Sequence, residues 1–267
     1  MKAEKLFDVT GQVAFVTGAA SGLGLAMAEV LAENGARVTM ADIDADTLEV
    51  LVRRMREAGS AVEAAAVDVA DAGALRQRID AVAGKHGRLD AVFANAGISS
   101  GPGFATEAGR ISGQIDHTSL ATWARVLEVN LTGVFVTMQA AAAHMKAQRS
   151  GRIIVTSSIA GLRADTLVGY PYAVTKAALN NLVRQAAREL APYNVLVNAI
   201  APGVFLTNIA GGRLRDPAAR DEFRRIVPLG RIADPDEIKG LALFLASGAS
   251  SYVTGTVIPI DGGVTAG

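Results

Sequence analysis

Thr17-Gly18-Ala19-Ala20-Ser21-Gly22-Leu23-Gly24 is the stretch on which the reading of this chain turns. It follows a short apolar run, Gln12–Thr17, and opens a segment of helical spacing, Leu23–Asn34, that stops at Gly35. A strand that runs into a glycine turn and then a helix brings unpaired backbone N–H groups and the positive end of the helix dipole to one point. Glycines let an anion approach that backbone with no Cβ in the way, and Ser21 adds a hydroxyl donor. The spacing is G-x-x-x-G-x-G rather than G-x-G-x-x-G. A plain strand–helix turn can carry three glycines too. The position between strand and helix favours a cradle for the diphosphate of a dinucleotide, with Gly18, Ser21, Gly22, Leu23 and Gly24 as its residues.

Outward from the turn, strand-like and helix-like segments alternate to the end of the chain. Arg37–Asp42, Ala61–Val67 and Leu89–Ala94 read as further strands. Helical patterns over Ala45–Ala58 and Asp71–His86 separate them. The second half continues with a long helix over Leu120–Gln148, strand Arg152–Ser157 and a helix over Tyr172–Leu190. Strand Val195–Ile200, helix Pro235–Ala246 and a last strand near Thr256–Pro259 complete it. Continuous apolar strands between amphipathic helices predict an α/β fold. It is a doubly wound Rossmann domain with a seven-stranded parallel sheet covered on both faces. No linker or charge block divides residues 1–267, so one domain is expected. Two stretches break the rhythm: Ile98–His117, rich in glycine, and Val204–Arg231, with Arg213, Arg215, Arg220, Arg224 and Arg225. Irregular segments of this length are commonly binding loops or lids; a solvated surface excursion is the alternative.

Composition narrows the chemistry. The 267 residues are 50% hydrophobic and 19% charged, which excludes disorder as the main state. Lys+Arg and Asp+Glu both number 26, so no net field draws in nucleic acid or an anionic membrane. The absence of cysteine excludes disulfides, thiol nucleophiles and cysteine-held metals, and fits a reducing, cytoplasmic setting. No signal-peptide pattern is visible at the start, and no apolar run reads as long enough to cross a bilayer. His86, His117 and His144 are far apart and show no metal-binding spacing, so no metal site is expected.

Asp42 ends the second strand 18 residues past Gly24. A carboxylate there can accept hydrogen bonds from both hydroxyls of an adenosine ribose and repels a 2′-phosphate. Ala19, Ala20 and Ile43 offer no cation to hold such a phosphate. NAD is therefore expected over NADP. A solvated strand-end Asp is the plain alternative.

Tyr172-Ala-Val-Thr-Lys176 has i, i+4 spacing, which puts a phenol and an ammonium on one helix face. A nearby cation favours phenolate, and a phenol tuned toward neutrality can exchange a proton with an alcohol. Tyr170 is a weaker candidate because Val174 occupies its i+4 position.

With these residues the chain closely resembles the short-chain dehydrogenase/reductase family, in its single-domain branch, from about Gln12 to Gly263. The motifs come in order: Thr17-Gly18-x-x-x-Gly22-x-Gly24, Asp68-Val69, Asn95-Ala96-Gly97, Asn130, Ser157-Ser158, Tyr172-x-x-x-Lys176, Pro202-Gly203 and Asp261-Gly262-Gly263. The resemblance implies an NAD-dependent enzyme that moves a hydride between nicotinamide and a secondary alcohol or ketone. Tyr172 is then the general acid/base, and Lys176 lowers its pKa and holds the nicotinamide ribose. Ser158, with Ser157 as rival, polarises the substrate oxygen, and Asn130 holds a water that relays protons from Lys176. Asp68 and Val69 fall at the adenine. Asn95, Ala96 and Gly97 lie along the adenosine side, although Asn95-Ala-Gly is equally a turn that stabilises the sheet. After Pro202-Gly203, the Phe205 backbone and Thr207 hydroxyl hold the carboxamide.

The family commonly forms tetramers through the helices that here carry Ala140–Ala143 and Ala173, Ala177 and Ala178. A homotetramer or dimer is expected on that ground. Trp123, at helical spacing with Leu120 and Leu127, reads as packing. His117, beside Asp116, reads as a surface residue that could reach substrate. The competing functions are a non-catalytic dinucleotide sensor or scaffold, an NADPH-type carbonyl reductase, and a sugar-nucleotide epimerase. The last usually needs a longer C-terminal region. Substrate identity depends on Ile98–His117, Leu162–Pro171 and Val204–Arg231. A medium-sized secondary alcohol or carbonyl, cyclic or polyhydroxylated, is the expected class.

Overall fold

β1 (Val13–Thr17) is buried at all five positions, and the rest of the sheet is built around it. A computed structural model describes residues 2–209, 214 and 217–266. Arg213 and Arg215 of the second irregular stretch lie outside the described residues. In chain order, α1 (Ala3–Leu6) precedes β1, followed by α2 (Gly22–Glu33), β2 (Arg37–Asp42), α3 (Ala45–Glu57) and β3 (Val62–Ala66). Next come α4 (Ala72–His86), β4 (Ala91–Ala94), α5 (Leu120–Leu127), α6 (Val134–Gln148) and β5 (Gly151–Thr156). α7 (Tyr170–Leu190), β6 (Val195–Pro202), α8 (Pro217–Arg225), α9 (Lys239–Ala246) and β7 (Val257–Ile260) end the chain.

The seven strands form one sheet in the order β3-β2-β1-β4-β5-β6-β7. Every pairing is parallel. β-branched and small side chains in β1, β4 and β5 suit strands that are covered on both faces. Alternate residues of β1 serve opposite cores. Ala14 and Val16 pack with Met27, Leu31, Leu48 and Leu245, under α2, α3 and α9. Val13 and Phe15 pack with Leu75, Ile79, Met145 and Leu179, under α4, α6 and α7. The order runs outward from β1 to β3 and then returns to β4 on the other side of β1. That reversal opens a crevice beyond the carboxyl ends of β1 and β4.

Element ends follow local chemistry. Gly35 and Gly59, the expected helix stops, have positive φ (84° and 91°). Asp44 and Asp71 cap α3 and α4 by accepting from the backbone N–H of Thr47 and Ala74. α7 starts at Tyr170, two residues before the expected Tyr172, because Pro171 is tolerated in a first helical turn. The segment expected as one helix from Pro235 opens as a 3-10 turn, Pro235–Ile238, under an Asp234/Glu237 capping box.

Three expectations need correction. The helix over Leu120–Gln148 is not regular throughout: α5 passes through a π turn, Glu128–Gly133, before α6. This rod of 29 residues is also long and apolar enough to span a bilayer by length and composition, although no such run was expected. Its apolar residues are scattered among polar ones, so no unbroken run marks it. Of its most apolar window, 56% is buried inside the fold, which is the behaviour of a core helix. Trp123 is half-buried, but Leu120 is 84% exposed, so the expected Leu120 contribution to packing is absent.

Candidate active site

A cavity of about 640 Å³ lies at the crevice, within the usual range for ligand sites. The glycine turn forms one wall. Gly18 and Gly22 have φ of 68° and 53°, a conformation that side chains resist. Ser21 is the N-cap of α2, yet its side chain makes no capping bond, so the hydroxyl is not engaged by its own helix. Gly24 is not on the cavity wall. A Cβ there would stand 2.0 Å from the Gly18 carbonyl oxygen and 2.5 Å from Asn95 Nδ2. Its part is to let α2 close against the turn.

Asp42 and Ile43 lie at the mouth of β2 and line the same cavity. Asp42 Oδ2 accepts from Ala20 N (2.9 Å) and Oδ1 from Asp44 N (3.1 Å). The carboxylate is thereby oriented, with lone pairs left over for ribose hydroxyls. Asp68 and Val69 follow β3 on the wall. Asp68 Oδ2 accepts from Arg125 Nη2 (3.3 Å), and Arg125 also pairs with Glu128 (2.8 Å). Arg125 lines the cavity and was missed in the sequence. It sits 57 residues from Asp68, and no local pattern marks it.

Asn95, Ala96 and Gly97 border the cavity below β4. The Asn95 side chain ties strands together: Nδ2 donates to Thr17 O (3.0 Å), and Oδ1 accepts from Thr156 Oγ1 (3.0 Å). Thr17 Oγ1 accepts from the backbone N–H of both Asn95 and Ala96. These bonds realise the sheet-stabilising side of the motif. Across the cavity, Pro202, Gly203, Phe205 and Thr207 continue from β6. A Cβ on Gly22 would meet the Thr207 methyl at 3.1 Å, so this segment closes over the glycine turn. Gly203 abuts Asp261, whose carboxylate accepts from the backbone N–H of Gly263 and Thr265. The Asp261-Gly262-Gly263 motif is thus a brace behind the wall.

The expected catalytic side chains meet at the floor. Lys176 Nζ donates to Thr156 O (2.7 Å) and lies 5.5 Å from the Tyr172 ring centroid. Ser158 lines the cavity with Tyr172 and opposes the rise that burial imposes on the phenol's pKa. Ser157 is occupied elsewhere, donating to Lys176 O (3.1 Å) and Asn180 Oδ1 (2.6 Å). The Ser157 hydroxyl is thereby committed to α7, whereas the Ser158 hydroxyl donates to no protein group among the described hydrogen bonds. Tyr170 stacks on Phe104 (6.1 Å between centroids). Asn130, in the π turn, is fully buried and does not line the cavity. Its amide is clamped to one residue, Oδ1 accepting from Ile98 N (2.8 Å) and Nδ2 donating to Ile98 O (2.9 Å).

The electrostatics differ from the expected picture of a phenol acidified by its ammonium neighbour. Among the protein's own groups, burial pushes the Tyr172 phenol up, with a smaller push from the Asp165 charge; Ser158 opposes both. Burial also lowers the Lys176 ammonium to about 8. Both shifts have one cause, since removal from water penalises each charged form. A consequence for stability follows. The folded protein holds fewer protons at Lys176 than the unfolded chain between about pH 8 and 10.5. The penalty is full below that window and fades as pH rises through it. The unfolding free energy of the wild type, relative to Lys176→Met, should therefore rise between those pH values. Parallel urea melts would test this, and a flat difference would contradict it.

The first part of the glycine-rich stretch Ile98–His117 is bonded to the fold, while residues 107–117 are exposed except at Gly109 and Gly113. Gly103 N donates to Leu167 O (3.1 Å), Ala105 N to Thr166 O (3.2 Å) and Gly169 N to Gly101 O (3.3 Å). A Cβ on Gly109 would stand 2.1 Å from Gly103 O, so the coil stacks glycine on glycine. This seam sets Ser99, Asp165 and Val168 on the cavity wall. His117 is half exposed, stands 4.0 Å from Asp116, and is not on that wall.

The cradle, the oriented carboxylate and the wall from β6 fit a nicotinamide dinucleotide: a Cβ at Gly18 would fill the turn, 2.9 Å from Ala96 Cα. The profile of the family described as enoyl-(acyl carrier protein) reductase matches residues 18–265. A cis-4-hydroxycyclohexanecarboxylate dehydrogenase of Sinomonas cyclohexanicum is 38% identical over 96% of this chain and 97% of its own. A short-chain type dehydrogenase/reductase from Mycobacterium marinum is 35% identical, with a TM-score of 0.88 over 98% of this chain and 99% of that one. A gluconate 5-dehydrogenase from Burkholderia cenocepacia J2315, solved in complex with NADP and tartrate, is 34% identical, with a TM-score of 0.89 over the whole of both chains. Sequence and structure agree along the full length with the motifs around the crevice: the chain belongs to the short-chain dehydrogenase/reductase family of oxidoreductases.

Proposed function

We propose that the protein is an NAD-dependent oxidoreductase acting between a secondary alcohol and its ketone. The observation that carries this reading is the Tyr172 phenol, set in one cavity with Ser158 and with Lys176 Nζ 5.5 Å from its ring centroid. A bound nicotinamide supplies the hydride acceptor and, when oxidised, a positive charge that favours phenolate. Tyr172 Oη takes the carbinol proton during oxidation and returns it during reduction. Ser158 donates to the substrate oxygen as charge develops there. Lys176, held by Thr156 O, offers its charge to the phenolate and its N–H groups to a ribose. Asn130 fixes Ile98, and a Cβ on the preceding Gly97 would stand 3.4 Å from Asn130 Oδ1 and 3.8 Å from Lys176 Nζ; with its amide clamped, Asn130 would hold a relay water only through the lone pair or N–H that remains.

Gly18, Ser21, Gly22 and Leu23 would hold the diphosphate, Asp42 and Ile43 the adenosine ribose, and Asp68 and Val69 the adenine. Asn95, Ala96 and Gly97 would border the adenosine, and Pro202, Gly203, Phe205 and Thr207 the carboxamide. The substrate is a medium-sized secondary alcohol, in keeping with the hydroxycyclohexane substrate in the name of one relative. A homo-oligomer through α6 and α7 is part of this reading; Phe135 and Val174 on those helices are exposed.

Use of NADP is a second reading, favoured by the complex of the gluconate 5-dehydrogenase with that cofactor. Mixing the protein with NAD⁺ or NADP⁺ and a panel of secondary alcohols, and following the absorbance of reduced nicotinamide, tests both. We expect kcat/KM with NAD⁺ to exceed that with NADP⁺. Asp42→Arg should turn that preference by about 1.4–2.7 kcal/mol, roughly 10- to 100-fold, by replacing a repulsive charge with an attractive one. Unchanged selectivity in the variant would remove Asp42 from cofactor choice.

A further inference from the structure

The charged side chains on the cavity wall are Asp42, Asp68 and Arg125 toward the expected adenosine position and Asp165 and Lys176 toward the floor. Beside the expected adenine position, Asp68 is met by Arg125. At the far end, Asp165 lines the cavity near Tyr172, and no cation pairs with it among the described residues. Lys176, the ammonium nearest the phenol, is turned to the Thr156 carbonyl. Asp165 is also held in place. Its Oδ1 accepts from Leu167 N (3.0 Å), and the loop that bears it is bonded to the glycine coil at Gly101, Gly103 and Ala105. The second carboxylate oxygen accepts no hydrogen bond among the described residues, and the same cavity has apolar lining at Ile159, Val168 and Leu214. A fixed carboxylate in such a setting accepts from a hydroxyl or an ammonium and repels another carboxylate.

We propose that Asp165 is a specificity-determining residue that selects alcohols carrying a second hydrogen-bond donor, a diol or an amino alcohol, and rejects alcohols that carry a carboxylate. The inference rests on the alcohol-oxidising reading above and names the substrate class of that site. A carboxylate-bearing substrate meets like charge close to the carbinol position. A diol instead donates its second hydroxyl to the oxygen that Leu167 leaves over.

Three probes on one ring, cyclohexanol, a cyclohexanediol and a hydroxycyclohexanecarboxylate, test this on the full-length protein with saturating NADH. Calorimetry gives the affinities, and initial rates with NAD⁺ give kcat/KM. The wild type should bind the diol at least about tenfold more tightly than the carboxylate, and Asp165→Asn should shrink that ratio about tenfold. Asn can still accept from Leu167 N, so the turn is kept; melting temperature and NADH affinity check the fold. Asp165→Glu should retain the discrimination. Asp165→Asn should also move the acidic limb of the pH profile of alcohol oxidation to lower pH, since removing a negative charge eases ionisation of the phenol. Equal binding of diol and carboxylate by the wild type, or an unchanged ratio in a folded Asp165→Asn, overturns the proposal. Should no alcohol be turned over while the calorimetric ratio responds as stated, the oxidoreductase reading fails and the selectivity of Asp165 stands.

Discussion

Tyr172→Phe should lower kcat by a factor on the order of 10³ while the affinity for NADH stays within about threefold of the wild type. The substitution removes one oxygen and keeps the ring that packs 5.5 Å from Lys176 Nζ. Ser158 still accepts from Ala160 N (3.1 Å), so its position should hold. What disappears is the hydroxyl assigned to take a proton from a carbinol and give it back. Tyr170→Phe is the matched comparison, because that ring stacks on Phe104 and bears no part in proton transfer. Nicotinamide absorbance gives the rates and NADH fluorescence the affinity. A Tyr172→Phe rate within tenfold of the wild type would falsify the acid/base assignment.

Gly24→Ala should weaken NADH binding by about two orders of magnitude and cost roughly 1–3 kcal/mol of stability, the range typical of overpacking. The new methyl would need the space of the Gly18 carbonyl oxygen, 2.0 Å away, and of Asn95 Nδ2 at 2.5 Å. Both neighbours are fixed: Gly18 by its turn, Asn95 by Thr17 and Thr156. Either α2 lifts from the sheet or the turn flattens, and in both cases the backbone N–H groups lose their aim. Gly84→Ala separates this from the ordinary effect of placing alanine in a helix. Gly84 lies exposed within α4, and a Cβ there meets nothing within 4 Å. That change should raise stability by about 0.5–1 kcal/mol, through the lower entropy cost of ordering alanine. Urea melts of the two variants and NADH titrations make the comparison. Equal stability changes in the two would contradict a steric role for Gly24.

Much of this architecture is legible in the order of residues, for a definite reason. A parallel strand covered on both faces must be apolar almost throughout, so Val13–Thr17 and Ala91–Ala94 stand out as runs. Helices that pack on one side carry period and stop signals, as in Ala45–Glu57 before Gly59. Tyr172 and Lys176 were legible because one helix carries both. Contacts made across the fold left no such trace. Arg125 reaches Asp68 from another element, and Asp165 gains its meaning only when the loop that holds it is bonded to Gly101–Ala105. Ser158 is preferred over Ser157 already by the Ile159-Ala160-Gly161 that follows it, but the reason Ser157 is occupied, its bond to Asn180, is visible only in space. The spacing of Tyr172 and Lys176 carries the ammonium's effect on the phenol, whereas the burial that pushes the phenol up leaves no local trace. The π turn at Asn130 was invisible for a related reason: one extra residue in a helical turn barely disturbs the apolar period.

The seam between the glycine coil and the segment around Leu167 has a practical corollary. Since Gly103, Ala105 and Gly169 donate across it, and Gly103 admits no Cβ without meeting Thr166 O at 2.2 Å, neither side keeps its shape alone. Transplanting substrate preference from a relative thus requires both sides to be exchanged as a matched cassette, and libraries that randomise one side only would be dominated by chains whose pocket rim has come unstitched.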